Sequence, residues 1–499
     1  MSSLVQSVDW LAIAPPTLAA VVGLVVLVAD LFIGEARKAV LGWVSVAGLA
    51  ASALLLLPLL DGDRATFCLT GDADACSYVA DRFTLVVQLL VLGGALLAAL
   101  LSVTALKDAD KELPEGEYWF LLLSSAAGAA LLPASRDLAT LIVALEVASL
   151  PAFALVGIRR GDRKSSEAAL KFFLSSVTAT AVSLMGVSFV YATTGTLHLT
   201  RIADRIQHVD GQFYTLAQTG VVLTLVGFAF KTAAVPFHFW VPDTYVGAPL
   251  PIAAYLSVVG KAVGFSGLIL VTVIAFPSYA DVWGPALAAL AAFTMTVGNV
   301  GALRQRSTRA YSAVRLLAWS SVGQAGYLLV PIASAAYSED AQKAIGSTVA
   351  YALMYAAVNL GAFAVAALVA RTSPLNRISD YRGLYARNPL SALVLGFFLL
   401  CLAGLPPGII GLFAKVTVFS AVVDAGLGWL AVVMAVNVVI ALFYYLQWTT
   451  LLFRAPEGEP GTHRVPAPLT AAIALTAVLG VALSGAPQLI LRFSETGLF

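Results

Sequence analysis

Apolar runs of about twenty residues, each closed by a short polar stretch, recur from one end of the chain to the other. On that spacing the pattern predicts about fourteen membrane-spanning helices. They fall near 12–33, 40–60, 83–106, 118–134, 137–158, 167–194, 217–241, 250–276, 283–303, 312–335, 345–370, 390–424, 428–453 and 468–491. Two of these runs do not read as straight helices. The first carries Pro236, and the run 390–424 is too long for one span and holds Gly404, Pro406 and Pro407 in its middle. Each proline removes a backbone donor that lipid cannot replace. Both runs are therefore predicted as broken helices enclosed by protein, the kind that line polar cavities where transporters bind ions. No soluble domain and no obvious exact repeat interrupts the series.

Composition agrees: 60% of residues are hydrophobic, 11% are charged and the mean hydropathy is +0.90, against roughly 25% charge in a soluble domain. The expectation is an all-α polytopic membrane protein in contact with the lipid bilayer. A net charge of +1 without a basic run interleaved with aromatics gives no sign of a nucleic-acid partner. The opening MSSLVQSVDWLAIAPP lacks a basic flank and a small-residue cleavage site, so the first span is expected to be retained. An iron–sulfur cluster takes about four thiolates, and the chain has three cysteines. Cys68 and Cys76 share a loop, as a disulfide if it faces an oxidising compartment, otherwise as two thiols. Cys401 reads as a small core residue. There is no G-x-G-x-x-G turn, no phosphate-binding loop, no metal-ligand spacing and no Ser-His-Asp grouping, so no cofactor is expected in this chain.

Charge placement adds sidedness and a candidate site. Assigned to alternate loops, 18 basic residues, including Lys111 and Arg464, fall on one side and seven on the other. Basic loops mark the cytoplasm, so both termini are expected to face away from it. Four of the 29 basic residues remain inside predicted helices, and all are lysines: Lys171, Lys231, Lys261 and Lys415. A lysine taken out of water can shed its proton near neutral pH, whereas an arginine essentially never does. Lysines inside and arginines outside suggest reversible protonation.

Glu146 sits alone in the apolar helix LATLIVALEVASLPAFALVG. It requires either a partner cation from another helix or a proton of its own. Lys231 is the expected cation, and Lys261 comes to similar depth on the next helix if the two are joined near Val246. Snorkelling toward a headgroup is the plain alternative for each lysine. Lys415 follows the second break by one to two turns. Lys171 lies four residues after Glu167, so an ordinary ion pair competes with function. His238, beside the first break, either relays a proton or only caps freed backbone groups. Asp243 reads as a helix N-cap, and Tyr327, Asn359 and Asn437 as partners in interhelical hydrogen bonds.

These residues carry a resemblance. LEVASLPAFALVG around Glu146, EAALKFFLSSVTAT around Lys171, GFAFKTAAVPFHFWVPDTYVGAPLP with Lys231, the downstream Lys261, and LAGLPPGIIGLFAK ending at Lys415 together resemble the antiporter-like membrane subunits of proton-pumping NADH:quinone oxidoreductase, respiratory complex I. The run Tyr245 to Pro249, and lysine rather than glutamate at 415, are most similar to subunit N. In LLAWSSVGQAGYLLV, Trp319 and Gln324 stand where that family more often has tyrosine and histidine, so no histidine relay is implied there. PPGIIGLFAK departs from the usual small-residue and aromatic pattern while keeping the lysine.

The resemblance implies N-terminal helices 1–3 over 1–117, two inverted five-helix repeats over 118–276 and 283–453, each with a broken helix, and a C-terminal helix within 454–499. It implies equivalent places for Lys231 and Lys415, and a proton path along Glu146, Lys231, Lys261 and Lys415, with Lys171 and His238 in lesser parts. FMN, iron–sulfur clusters and quinone would belong to partner subunits, and the neighbours would be other membrane subunits of the complex, antiporter-like ones among them, in the bacterial cell membrane. A subunit of a multisubunit cation/proton antiporter, or of a hydrogenase-linked membrane arm, would share the paired broken helices.

Overall fold

The computed structural model describes residues 8–69, 72–109, 113–456, 465–495 and 497–499. Residues 1–7, ahead of the first expected span, and the counted Lys111 and Arg464 lie outside them. The described residues are mostly helical. In order come α1 (Ala14–Asp30), α2 (Ala39–Leu54), strands β1 (Arg64–Leu69) and β2 (Asp72–Ala80), α3 (Arg82–Asp108), α4 (Glu115–Leu131), α5 (Leu138–Val156) and α6 (Arg163–Thr194). Then follow α7 (Leu199–Ile206), α8 (Tyr214–Thr232), α9 (Trp240–Gly247), α10 (Leu250–Ile269), α11 (Ala280–Leu303), α12 (Ser312–Ser334) and α13 (Ala341–Ala370). The chain closes with α14 (Leu384–Arg387), α15 (Pro389–Ala403), α16 (Ile409–Asp424), α17 (Gly428–Leu452), α18 (Ala467–Gly485) and α19 (Gln488–Leu491).

Among the described residues, 11 helical stretches are long and apolar enough to cross a membrane, and α1 and α15 are shorter apolar helices. Local chemistry fixes several starts: Asp81, Asp137 and Asp162 accept hydrogen bonds from the first-turn amides of α3, α5 and α6, satisfying donors that a helix start leaves open. Burial then separates centre from rim. α10, α12 and α13 have 89, 94 and 89% of their apolar windows inside the protein, against 33 and 28% for α17 and α18. Polar side chains on the first three helices are therefore enclosed by protein rather than lipid.

Both expected breaks are present. The first separates α8 from α9, and the second separates α15 from α16. α9 runs to Gly247, beyond the expected end of that run at 241. The Val235–Pro236 and Pro406–Pro407 peptides are cis.

The loop between the second and third spans departs from the all-α expectation. It folds as an antiparallel hairpin of β1 and β2, with Cys68 opposite Cys76 and a disulfide joining them. The hairpin rests on the α4–α5 turn through Arg136 N donating to Ser77 O at 2.9 Å, while the Arg136 guanidinium pairs with Asp81. β-branched and aromatic residues, Thr66, Tyr78 and Val79, suit a strand, but the stretch is too short to stand out among apolar helices. Closing so short a loop stabilises by roughly 2–3 kcal/mol. The Cys68→Ser variant is expected to lose about that much in a thermal unfolding series, and an unchanged midpoint would show that the crosslink does not constrain the hairpin.

Candidate functional site

Lys231 lies in the last turn of α8 and is 3% exposed. Ala233 adopts a left-handed conformation (φ 69°) that stops the helix, and Ala234 N reaches back to Ala229 O at 2.9 Å. The Lys231 ammonium donates to Ser149 Oγ at 2.7 Å and lies 5.9 and 5.4 Å from the ring centres of Phe153 and Phe172. Ser149 Oγ in turn donates to Leu145 O. The ammonium is thus enclosed by one hydroxyl and two aromatic faces.

Glu146 lies one turn before Ser149, yet it does not form the expected ion pair. Its Oε1 accepts from Thr180 Oγ1 at 2.7 Å, and Lys231 bonds Ser149 instead. Glu146 is only half-buried, and Val143, Val147 and Leu150 on the same stripe of α5 are 57, 39 and 52% exposed. A carboxylate on that outer wall cannot be left against hydrocarbon.

The second break repeats the first bond for bond. Gly404, at φ +85°, stops α15, Leu405 N reaches back to Leu400 O at 2.9 Å, and a proline follows three residues after each left-handed position. Lys415 approaches this break from the far side. Its ammonium donates to Leu402 O at 2.9 Å and Ala403 O at 2.8 Å, carbonyls that the end of a helix leaves without intrahelical partners. Leu402 stands to Gly404 as Lys231 stands to Ala233, so the two lysines occupy the same level from opposite sides of their breaks. The Tyr327 ring centre is 5.4 Å from the Lys415 ammonium, and the Tyr327 hydroxyl makes no hydrogen bond, unlike Asn359 and Asn437, which bond across helices as expected.

Lys261, on α10, is 2% exposed and its ammonium has no hydrogen-bond partner. One turn before it, Ser257 Oγ accepts from Asn359 Nδ2 at 2.6 Å, while Asn359 Oδ1 is also unpartnered. From there a chain of hydroxyls runs inward: Tyr355 donates to Ser257 O at 3.1 Å, Ser321 lies 2.9 Å from Tyr355, and Tyr245 lies 3.4 Å from Ser321. A second string joins Ser320 and Tyr445 at 2.5 Å, Tyr445 and Gln324 at 3.2 Å, and Gln324 and Tyr351. Gln324 therefore holds a hydrogen-bonding place in the string.

Lys171 stands apart from this interior. Its side chain is 44% exposed and pairs with Glu167 at 2.7 Å and Asp243 at 2.8 Å. Arg315 also reaches Asp243, at 3.2 Å. Asp243 is thus an ion-pair centre inside α9, correcting its reading as an N-cap; Phe239 holds that position. His238 is half-buried, with Nδ1 unpartnered and its ring centre 5.6 Å from that of Trp319. The structure buries Lys231, Lys261 and Lys415, sets Glu146 on the wall and leaves Lys171 at the surface. Ser149, Ser257, Ser321, Tyr351 and Tyr355 were not anticipated. Tyr351, Tyr355 and Asn359, four residues apart in YALMYAAVN, put three polar groups on one face of an apolar helix, a signal that was available.

Comparison with known proteins places this geometry. The family model described as "NADH:quinone oxidoreductase/Mrp antiporter, TM" matches residues 135–441. A Streptomyces griseus protein named NADH-quinone oxidoreductase subunit N 2 is 75% identical over all of this chain and 95% of its own length. A Salinispora tropica protein named NADH-quinone oxidoreductase subunit N is 45% identical over 90 and 86%. A chain of respiratory complex I from Thermus thermophilus superposes with a TM-score of 0.76 at 30% identity, covering 96% of this chain and 98% of that one. A chain of the Mrp complex from Dietzia sp. gives 0.83 at 22% identity over 97 and 96%, a likeness of fold.

Proposed function

This chain belongs to the NADH:quinone oxidoreductase/Mrp antiporter family, among its members named NADH-quinone oxidoreductase subunit N, and we propose that it is the proton-translocating, antiporter-like membrane subunit of such a complex. It carries no redox chemistry itself. FMN, iron–sulfur clusters and quinone belong to partner subunits, and quinone reduction there drives proton movement here. Among the described residues no group of three or more His, Cys, Asp or Glu side chains could hold a metal ion.

The observation that carries this reading is three lysines, Lys231, Lys261 and Lys415, each no more than 3% exposed and none in an ion pair among the described residues, together with hydroxyl and amide strings that link α9, α10, α12, α13 and α17. A buried unpaired cation is costly, and such a group persists where its charge is put to use. A proton enters from the cytoplasmic side toward Lys261, passes along hydrated polar groups to Lys231 and Lys415, and leaves on the opposite face. Glu146 lies one turn from Ser149, the partner of the Lys231 ammonium, and making or breaking a Glu146–Lys231 pair changes how firmly Lys231 holds its proton.

Counting α1, α4 and the α15–α16 pair with the 11 stretches gives about fourteen spans. The matching bonds at Ala233–Ala234 and Gly404–Leu405 support repeats over 118–276 and 283–453, flanked by 1–117 and 454–499. The half-exposed Glu146 supports a neighbouring membrane subunit covering α5. The disulfide lies in the loop that the basic-residue count puts outside the cytoplasm, where such bonds persist, which supports the bacterial cell membrane with both termini on that side. The rival cation/proton antiporter reading rests on a likeness at 22% identity. Tagging the chain and extracting it in mild detergent tests the choice: NADH oxidation coupled to quinone reduction should co-purify, and sodium- or potassium-driven proton exchange from a small assembly lacking that activity would refute it.

A further inference from the structure

Lys231 and Lys415 both face aromatic rings, and the rings differ by a hydroxyl. The Lys231 ammonium faces Phe153 and Phe172, whereas the Lys415 ammonium faces Tyr327, with the ring centre 5.4 Å away. An aromatic face supports a cation through its ring alone, and phenylalanine supplies that at the first break. The hydroxyl at the second break adds nothing to this support. It is buried, on a residue 1% exposed, and makes no hydrogen bond. Asn299, beside it, is already bonded to Tyr444 through Oδ1 at 2.9 Å and to Asn437 through Nδ2 at 3.0 Å. A hydroxyl buried without an acceptor is disfavoured, and phenylalanine would fill the same space without that penalty. The oxygen therefore has a task that the ring does not.

The neighbours of that oxygen define the task. Tyr327 stands one turn after Gln324 and two after Ser320 on α12, so the three share one stripe of the helix. Gln324 accepts from Tyr351 and donates to Tyr445. An amide donates through nitrogen and accepts through oxygen, so Gln324 holds these two phenols without passing a proton from one to the other. Tyr351 has another neighbour: its ring centre is 5.9 Å from that of Tyr327. One turn further along α13 stands Tyr355, which donates at 3.1 Å to the carbonyl of Ser257, one turn before Lys261 on α10. The Tyr351 phenol interacts electrostatically with those of both Tyr327 and Tyr355. The three form a row from the turn before Lys261 to the ring over Lys415. The Lys415 ammonium has three N–H donors, and Leu402 O and Ala403 O take two, which leaves one for a further partner.

Building on the proton-translocating role given above, we propose that Tyr327 is a proton-transfer residue, the last of three phenols that carry protons from Lys261 to Lys415. In each passage the Tyr327 oxygen takes a proton from the Tyr351 hydroxyl while its own O–H proton goes to the neutral amine of Lys415, which becomes the ammonium. Tyr351 takes its replacement from Tyr355, and Tyr355 takes one from Lys261, whose ammonium becomes an amine. Every phenol is neutral before and after. One N–H bond breaks at Lys261 and one forms at Lys415, and rotation about the three C–O bonds resets the row.

The test counts protons moved per electron pair by the purified complex in proteoliposomes at matched quinone reduction. The loss in Lys415→Met defines the share carried through that lysine. Tyr327→Phe keeps the ring over the ammonium and removes only the hydroxyl, and it should lower that share at least about tenfold, with an unfolding midpoint unchanged or raised. Tyr327→Phe combined with Lys415→Met should pump no less than Lys415→Met alone, because both cut one path. Tyr444→Phe removes a bonded hydroxyl outside the row, and it should lower the midpoint and keep the ratio. Normal pumping by Tyr327→Phe where Lys415→Met is impaired would overturn the row and leave the lysine reading standing, and normal pumping by both would overturn that reading with it. A Tyr327→Phe complex that fails to assemble would show the hydroxyl to be structural and would overturn the proposal as well.

Discussion

Replacing Lys231 with methionine is expected to leave the chain folded and assembled while slowing NADH-driven proton transfer through it by roughly a hundredfold, the order of a lost proton-transfer group. Folding survives because methionine fills similar space beside Phe153 and Phe172, and because removing an unpaired buried cation relieves a desolvation cost rather than creating one. Ser149 is not orphaned either, since its hydroxyl already donates to Leu145 O. Turnover in coupled membranes and thermal unfolding of the same preparation separate the two effects. A variant that pumps normally, or one that fails only because it does not assemble, contradicts the role given to Lys231.

The second large effect is expected from Gly411→Ala. A Cβ at Gly411 would sit 1.9 Å from Cys401 O and 2.9 Å from Cys401 Cα, so α16 can lie this close to α15 only at a residue without a side chain. The added methyl forces α16 away, at about 1–3 kcal/mol. The Lys415 ammonium then withdraws from Leu402 O and Ala403 O and is left without its two acceptors. Proton transfer should fall as far as in Lys415→Gln, together with a lowered unfolding midpoint. Leu412→Ala, one residue on and 39% exposed, should change neither. Equal activity of the glycine and leucine variants would show that the contact between the helix halves does not set the lysine.

Much of this was legible because a membrane simplifies the code. A run of apolar residues has one stable form there, a helix, so spans and both breaks follow from hydropathy and from Pro236, Pro406 and Pro407. Charges were legible for the same reason: Lys231, Lys261 and Lys415 stand out because nothing around them is charged. Partners across helices were not legible. Ser149 rather than Glu146 meets Lys231, and backbone carbonyls rather than a carboxylate meet Lys415, choices set by helix rotation that hydropathy does not encode. Asp243 misled because Pro242 before it imitates a helix start, while the helix begins at Trp240. The hairpin holding Cys68 and Cys76 was hidden between two strong helical signals. The likeness of the two breaks lies in backbone bonds at Ala233 and Gly404 and leaves little trace in side-chain identity.

The most direct measurement is the number of protons moved per electron pair in proteoliposomes of the purified complex, comparing wild type with the combined Lys231→Met and Lys415→Met variant at matched quinone reduction. A lower ratio, with quinone reduction still running, is the result expected if this chain carries protons through those lysines. An unchanged ratio would contradict it, leaving the buried lysines without a part in proton transfer.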